Sequence, residues 1–136
     1  MSYGMAAALQ AAVFQALGAN PALTALVGGA IYDVVPAGSL PRLYVSLGPE
    51  EARDASDKTG GGARHDFTVS VVSDESGFHQ AKTVAAAVND ALLDADLTLS
   101  RGRLVSLRFL RARARREGTG QLRRIDILFR ARIDEN

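Results

Sequence analysis

LRRIDILFRARI, residues 122–133, decides the fold. Ile125, Ile127, Phe129, Ala131 and Ile133 fall on one side of an extended chain. Arg124, Asp126, Leu128, Arg130 and Arg132 fall on the other. Side chains alternate across a strand with a period of two, so this is a strand with one apolar and one charged face. A sheet built from such strands needs cover on one face only.

Immediately upstream, about Arg103 to Arg115 reads as a second strand. The turn between them, Glu117-Gly118-Thr119-Gly120, has glycines free to take positive φ. Counting by twos puts Arg111, Arg113 and Arg115 on the face that begins with Val105, Leu107 and Phe109. One face cannot be both core and a row of arginines at equal depth. The reading is therefore a basic β-hairpin, 103–133, whose distal half runs out of the core and protrudes. Arg116, Arg123 and Arg124 extend its charged tip.

This hairpin sets the charge of the chain. From Arg101 onward there are 11 arginines against four acids, while residues 1–100 carry five cations and 11 acids. The total is only +1. Such asymmetry between two parts of a small chain is a sign of surfaces that meet partners.

Working toward the N-terminus, the strongest helix follows Ser76-Gly77. Phe78, Ala81, Val84, Ala85, Val88, Ala91 and Leu92 keep helical spacing, with Ser76 as the expected cap. Two further strands precede it. Leu43, Val45 and Leu47 alternate with Tyr44 and Ser46 until Pro49, which is expected to stop the strand. Phe67, Val69 and Val71 alternate with Asp66, Thr68 and Ser70. Between them, residues 49–64 (PEEARDASDKTGGGAR) are polar and aperiodic and read as a long flexible loop. At the start, Met5, Leu9, Ala12, Val13, Ala16 and Leu17 mark a helix over about Ser2–Leu17, with Gly18 as its stop. It lacks the basic leader of a signal peptide and reads as a soluble amphipathic helix. A short helix follows, with Asn20 as cap, Pro21 in its first turn and Leu23, Leu26 and Val27 facing inward.

The order is α, (α), β, β, α, β, β. The expected fold class is α+β: an antiparallel sheet of about four main strands with helices packed on one face. At 136 residues the chain reads as one domain, 1–136.

Chemistry is scarce. With no cysteine, thiol catalysis, disulfides and thiolate metal sites are excluded. Gly60-Gly61-Gly62 lacks the Lys-Ser/Thr and helix start of a phosphate loop. Of the two histidines, His65 has Asp66 beside it, but neighbours on a strand point to opposite faces. His79 sits in the first turn of a helix and should face solvent. Glu50, Glu51, Asp54 and Asp57 lack the spacing of a calcium loop. No catalytic residue, metal or cofactor is expected, nor any span of a membrane. The arginine row has no interleaved aromatics for base stacking, which weighs against sequence-specific nucleic-acid reading.

Several short pieces, in order, carry a resemblance. They are the first helix followed by Asn20-Pro21-Ala22-Leu23 and Leu26-Val27-Gly28, then Ile31-Tyr32-Asp33 with Pro36. Leu40-Pro41-Arg42-Leu43-Tyr44-Val45, the aliphatic strand Asp66–Ser73, the helix Gly77–Leu92 and the Arg- and Ile-rich hairpin complete them. Over nearly its whole length the chain resembles the small tail-terminator (tail-completion) proteins of long-tailed phages and phage-like gene transfer agents. The resemblance implies a non-catalytic particle component, assembled in the bacterial cytoplasm and located at the tail–neck junction. It implies a homo-oligomeric ring, usually of six subunits, that caps the tail tube protein and docks to the connector or stopper of the head–neck complex. DNA would pass through the ring without sequence-specific binding. By position, Arg111, Arg113, Arg115, Arg116, Arg123 and Arg124 match the channel or partner-contact surface of such a ring. Glu50, Glu51, Arg53, Asp54, Asp57, Lys58, Gly60, Gly61, Gly62 and Arg64 match its flexible lumen or interface loop. The alternative is a small nucleic-acid-binding module that uses the arginine hairpin.

Overall fold

The computed structural model of the chain describes residues 3–57 and 60–135. Its elements are α1 (Ala6–Ala19), α2 (Pro21–Val27), β1 (Ile31–Tyr32), β2 (Leu43–Asp54), β3 (Gly62–Ser73), α3 (His79–Leu93), β4 (Arg103–Glu117) and β5 (Leu122–Asp134). The class is α+β, as expected. The sheet has five strands in the order β1-β2-β3-β5-β4. It is mixed rather than purely antiparallel, because the two-residue β1 adds in parallel to Val45 and Ser46 of β2. So short a run has no readable period.

The helices cover one face. Met5, Leu9, Val13 and Leu17 of the first helical turn and α1, with Ala81, Val84, Val88, Ala91 and Leu92 of α3, close over Val69, Val71, Ile125, Ile127, Phe129 and Ile133. The phase read from the sequence holds for both long helices. α2 is capped by Asn20, whose side chain accepts from the Leu23 amide at 3.0 Å, and ends at Gly28 with φ of 62°. Leu26, expected to face inward, is 40% exposed instead. Gly18 does not stop α1, which runs on to Ala19. Ser76 does not cap α3. The helix starts after Phe78 with no side-chain cap, and the Ser76 carbonyl accepts from Arg123 at 2.6 Å.

The long flexible loop over 49–64 is the main correction. β2 continues to Asp54 and β3 begins at Gly62, in register from Glu50 opposite Phe67 to Asp54 opposite Ala63. Pro49 sits where that register shifts, between Leu47 and Glu50. A bulge leaves its residue out of the ladder, and β1 covers the outer edge of β2 only at Val45 and Ser46, so proline's missing N–H costs no sheet bond. The connection is only residues 55–61, drawn in by the Ala55 amide on the Gly62 carbonyl at 2.9 Å. Lys58 lies outside the described residues.

The second correction concerns the hairpin. β4 has register shifts between Leu104 and Ser106 and between Phe109 and Arg111, leaving Val105 and Leu110 as extra residues. Leu107, Phe109, Ala112 and Ala114 stand opposite Ala131, Phe129, Ile127 and Ile125 on the helix side. Arg111, Arg113 and Arg115 stand opposite Leu128, Asp126 and Arg124 on the other side. Each extra residue turns the following side chains over, so the conflict between core and arginine row disappears without any protrusion. The hairpin does not run out of the core. β5 is paired with β4 on one side and β3 on the other along nearly its whole length.

Candidate partner-contact surface

Among the described residues no helix covers the second face of the sheet. A small cluster of Ala30, Tyr44 and Val72, with Tyr32 and Leu122 against it, closes one end. The rest is polar. The strand registers place ten arginines there: Arg103, Arg108, Arg111, Arg113 and Arg115 from β4; Arg124, Arg130 and Arg132 from β5; Arg64 from β3; and Arg53 from β2. They face five acids: Glu51, Asp66, Glu117, Asp126 and Asp134. The excess of cations over acids is therefore concentrated on one open surface.

The acids neutralise some arginines and leave others. Asp66 takes both prongs of Arg130, at 2.9 and 3.0 Å. That fork holds the Asp66 carboxyl below the usual carboxylate range. Asp126 accepts from Ser70 Oγ at 2.6 Å, Arg124 Nε at 3.0 Å and Arg115 at 3.3 Å. Burial pushes its pKa up, but the bonds from Ser70 and Arg124 outweigh burial and lower it. Arg124 also reaches Glu117 at 3.4 Å. Burial alone would lower the pKa of Arg124, and the Asp126 bond together with the charges of Asp126 and Glu117 more than reverses this. Arg108, Arg111 and Arg113 are exposed and have no ion-pair partner among the described residues. Arg111 and Arg113 join Arg115, Arg124, Asp126 and Pro49 around a shallow cleft of about 280 Å³. Its free donors can take an outside anion.

Of the six hairpin arginines singled out from the sequence, four share this cleft: Arg111, Arg113, Arg115 and Arg124. Arg116 stands opposite Arg123 on the helix side. Arg123 is not a surface contact at all. It is 7% exposed, lies 5.5 Å over the Phe78 ring and donates to the Gly120 and Ser76 carbonyls, each at 2.6 Å. It ties the β4–β5 turn to the approach to α3. Alternation alone puts it on the side of Ile125; its charge grouped it with the tip, because strand period says nothing of what the next loop places above it.

The acidic segment divides too. Glu51, Arg53 and Arg64 are on the arginine face, with Arg53 and Glu51 paired at 2.8 Å. Asp54 turns to Ser56, whose hydroxyl bond lowers its pKa. Gly60 bonds Asp57, and Gly61 accepts from the Glu135 amide at 3.0 Å, while Gly62 opens β3. Glu50 is on the helix side. It meets buried His65 Nδ1 at 2.9 Å and accepts the Tyr3 hydroxyl, which raises the tyrosine pKa. The Tyr3 ring stacks on His65 at 6.1 Å. His65 and Asp66 do point to opposite faces, but the partner of His65 comes from across the hairpin, which spacing could not show. This trio fastens the turn before α1 to the β2–β3 hairpin. Among the described residues no cluster of His, Asp and Glu has metal-site geometry, and no helix is long and apolar enough to cross a membrane.

No curated protein matches the chain. Among solved structures, the chain is similar to one from the virion of a native gene transfer agent particle. The two share 62% identity with a TM-score of 0.92, over 98% of this chain and 99% of that one. The family model described as Tail completion protein gp17 matches residues 11–134. With nearly the whole chain matched and the same sheet and helices superposed, this protein belongs to the tail completion protein gp17 family.

Proposed function

We propose that the chain is a ring-forming tail terminator of a phage-like gene transfer particle, which caps the tail tube and joins it to the head–neck complex. Membership of the tail completion family makes it a structural tail component. The likeness to a chain of a gene transfer agent virion supports its location in such a particle. The observation that carries the finer reading is the single open, arginine-rich face. A subunit with helices on one side and a bare cationic sheet on the other is suited to a wall: the covered side faces out and the bare side faces the polyanion that passes. The exposed, unpaired Arg108, Arg111 and Arg113 meet phosphates, and the lining of the cleft at Arg111 and Arg113 includes no aromatic side chain, which keeps the contact independent of sequence.

The test is the mass of the purified chain by light scattering, together with its binding to duplex DNA over a salt series. A discrete multimer of about six copies with weak DNA binding supports the ring. A monomer that binds duplex tightly, with affinity falling steeply in salt, supports instead a free nucleic-acid-binding module built on the same face.

A further inference from the structure

Two exposed apolar patches lie at opposite edges of the sheet. On the β4 edge, Val105 and Phe109 are each 47% exposed. Phe109 leans edge-on against buried Phe129 at 6.5 Å and opens onto a groove of about 250 Å³ with Ala85 and Ala86 of α3 and Ala112. The side-chain oxygen of Asn89, at the same groove, is buried without a hydrogen-bond partner. On the β1 edge, Phe14 of α1 is 41% exposed, Val34 80% and Val35 38%. Phe14 borders a hollow of about 350 Å³ that Asp33 also lines. The helices keep these patches apart, since α3 packs over β3, β5 and β4 while α1 lies by β1.

Large apolar side chains at a surface mark contacts. One such patch would fit a partner of any kind, but here the two are complementary in charge as well as opposite in position. β4 carries six arginines and one glutamate, and residues 31–54 carry four acids and two arginines. Exposed Asp33 has no ion pair among the described residues, and neither has Arg108 on the facing edge. A surface that fits a different surface of its own copy associates head-to-tail, and repetition closes a ring or extends a helix.

We infer that the subunit contact joins the β4–α3 edge of one copy to the α1–β1 edge of the next, with Phe109 and Val105 packing against Val34 and Phe14 and with Asp33 meeting the β4 arginines. The inference rests on the ring reading but names the surfaces, which that reading leaves open.

The chain has no cysteine, so introduced thiols report one contact each. Val34→Cys and Phe109→Cys are combined in one chain, and Phe14→Cys and Val105→Cys in a second, with every single variant as control. Each is treated with a short bis-maleimide, as the purified oligomer or, where the free chain is monomeric, in isolated particles. Near-native melting of each variant comes first, and half-exposed sites make it the expected result. The inference expects a ladder of covalent multimers from either double variant and none beyond dimer from any single one. Efficient dimers from a single variant would mean like edges meet, and would overturn it. A multimer that gives no ladder would overturn these surfaces and leave the ring standing. One copy per particle and a monomer in solution would sink both.

Discussion

At Arg123 the guanidinium acts as a brace. Its two short bonds span Gly120 and Ser76, which are far apart in sequence, and Phe78 stacks beneath it. Removing it takes the donor from two carbonyls, on half-buried Gly120 and exposed Ser76, and uncovers the Phe78 ring. Arg123→Ala is expected to cost about 1.5–3 kcal/mol in chemical denaturation, with little rescue by Lys because only a fork reaches both carbonyls. Arg111→Ala, on the open face without a partner, should stay within about 0.5 kcal/mol. Equal losses would contradict the split between brace and surface. Asp66 gives a pH test. Its carboxyl titrates below the ordinary value of 3.8 because Arg130 grips the charged form. The stability this adds is present above that value and disappears as the pH falls through the lower, folded-state value. Thermal unfolding of the protein and its Asp66→Asn variant should therefore differ at about pH 6, by roughly 1 kcal/mol or less for a partly screened pair, and converge once the pH has fallen below the lowered, folded-state value. A gap that persists in acid would assign the loss to packing.

Elements were legible in the sequence wherever one period ran unbroken. β5 was readable from Arg124 onward because its inward positions, Ile125 to Ile133, are buried and no bulge interrupts it. α1 and α3 were readable for the same reason. β4 was not, since two bulges each invert the phase and nothing in RLVSLRFLRARARRE marks where they fall. The Pro49 segment looked like a loop because a proline and a run of polar residues hide an edge strand whose outer positions need no apolar side chain. The arginine cleft was thus half visible: the residue types were plain, while their side of the sheet depended on Leu110. That gives a prediction for the element. Deleting Leu110 removes the bulge but leaves Phe109 opposite Phe129 and Arg111 opposite Leu128, so the variant should fold with a modest change in midpoint. Deleting Ala112 forces either Arg111 or Arg113 onto the helix side, into the open groove beside Ala86 and Phe109, and should lower the midpoint by clearly more. The reverse ranking, measured by circular dichroism and urea melts, would discard the bulge as the device that sets the arginine face.

Across the whole molecule, charge and shape are sorted by side: helices and the main core on one face, arginines on the other, apolar patches at the two edges. Reversing Arg108, Arg111 and Arg113 to Glu touches only the open face. Melting should change little, since none of the three has an ion-pair partner to lose among the described residues. Packaged or passing DNA should be affected, so the expected readout is a drop in DNA-carrying particles, scored by nuclease-protected DNA per assembled tail. Full yield from a folded triple variant would remove this face from contact with nucleic acid.

Strand order also bears on how the molecule is made. β5, which follows the other four strands along the chain, lies inside the sheet between β3 and β4 rather than at a rim. On the ribosome, the β2–β3 hairpin can close early, but β4 emerges with no neighbour until β5 follows. The nascent chain therefore carries the apolar flanks of β3 and β4 uncovered until β5 has emerged. Completing the sheet requires closing β5 onto a β3 more than fifty residues upstream, as the Ser70–Asp126 bond spans, and such non-local pairing is slow to form. A cell that makes many copies at once must keep those flanks from finding one another first.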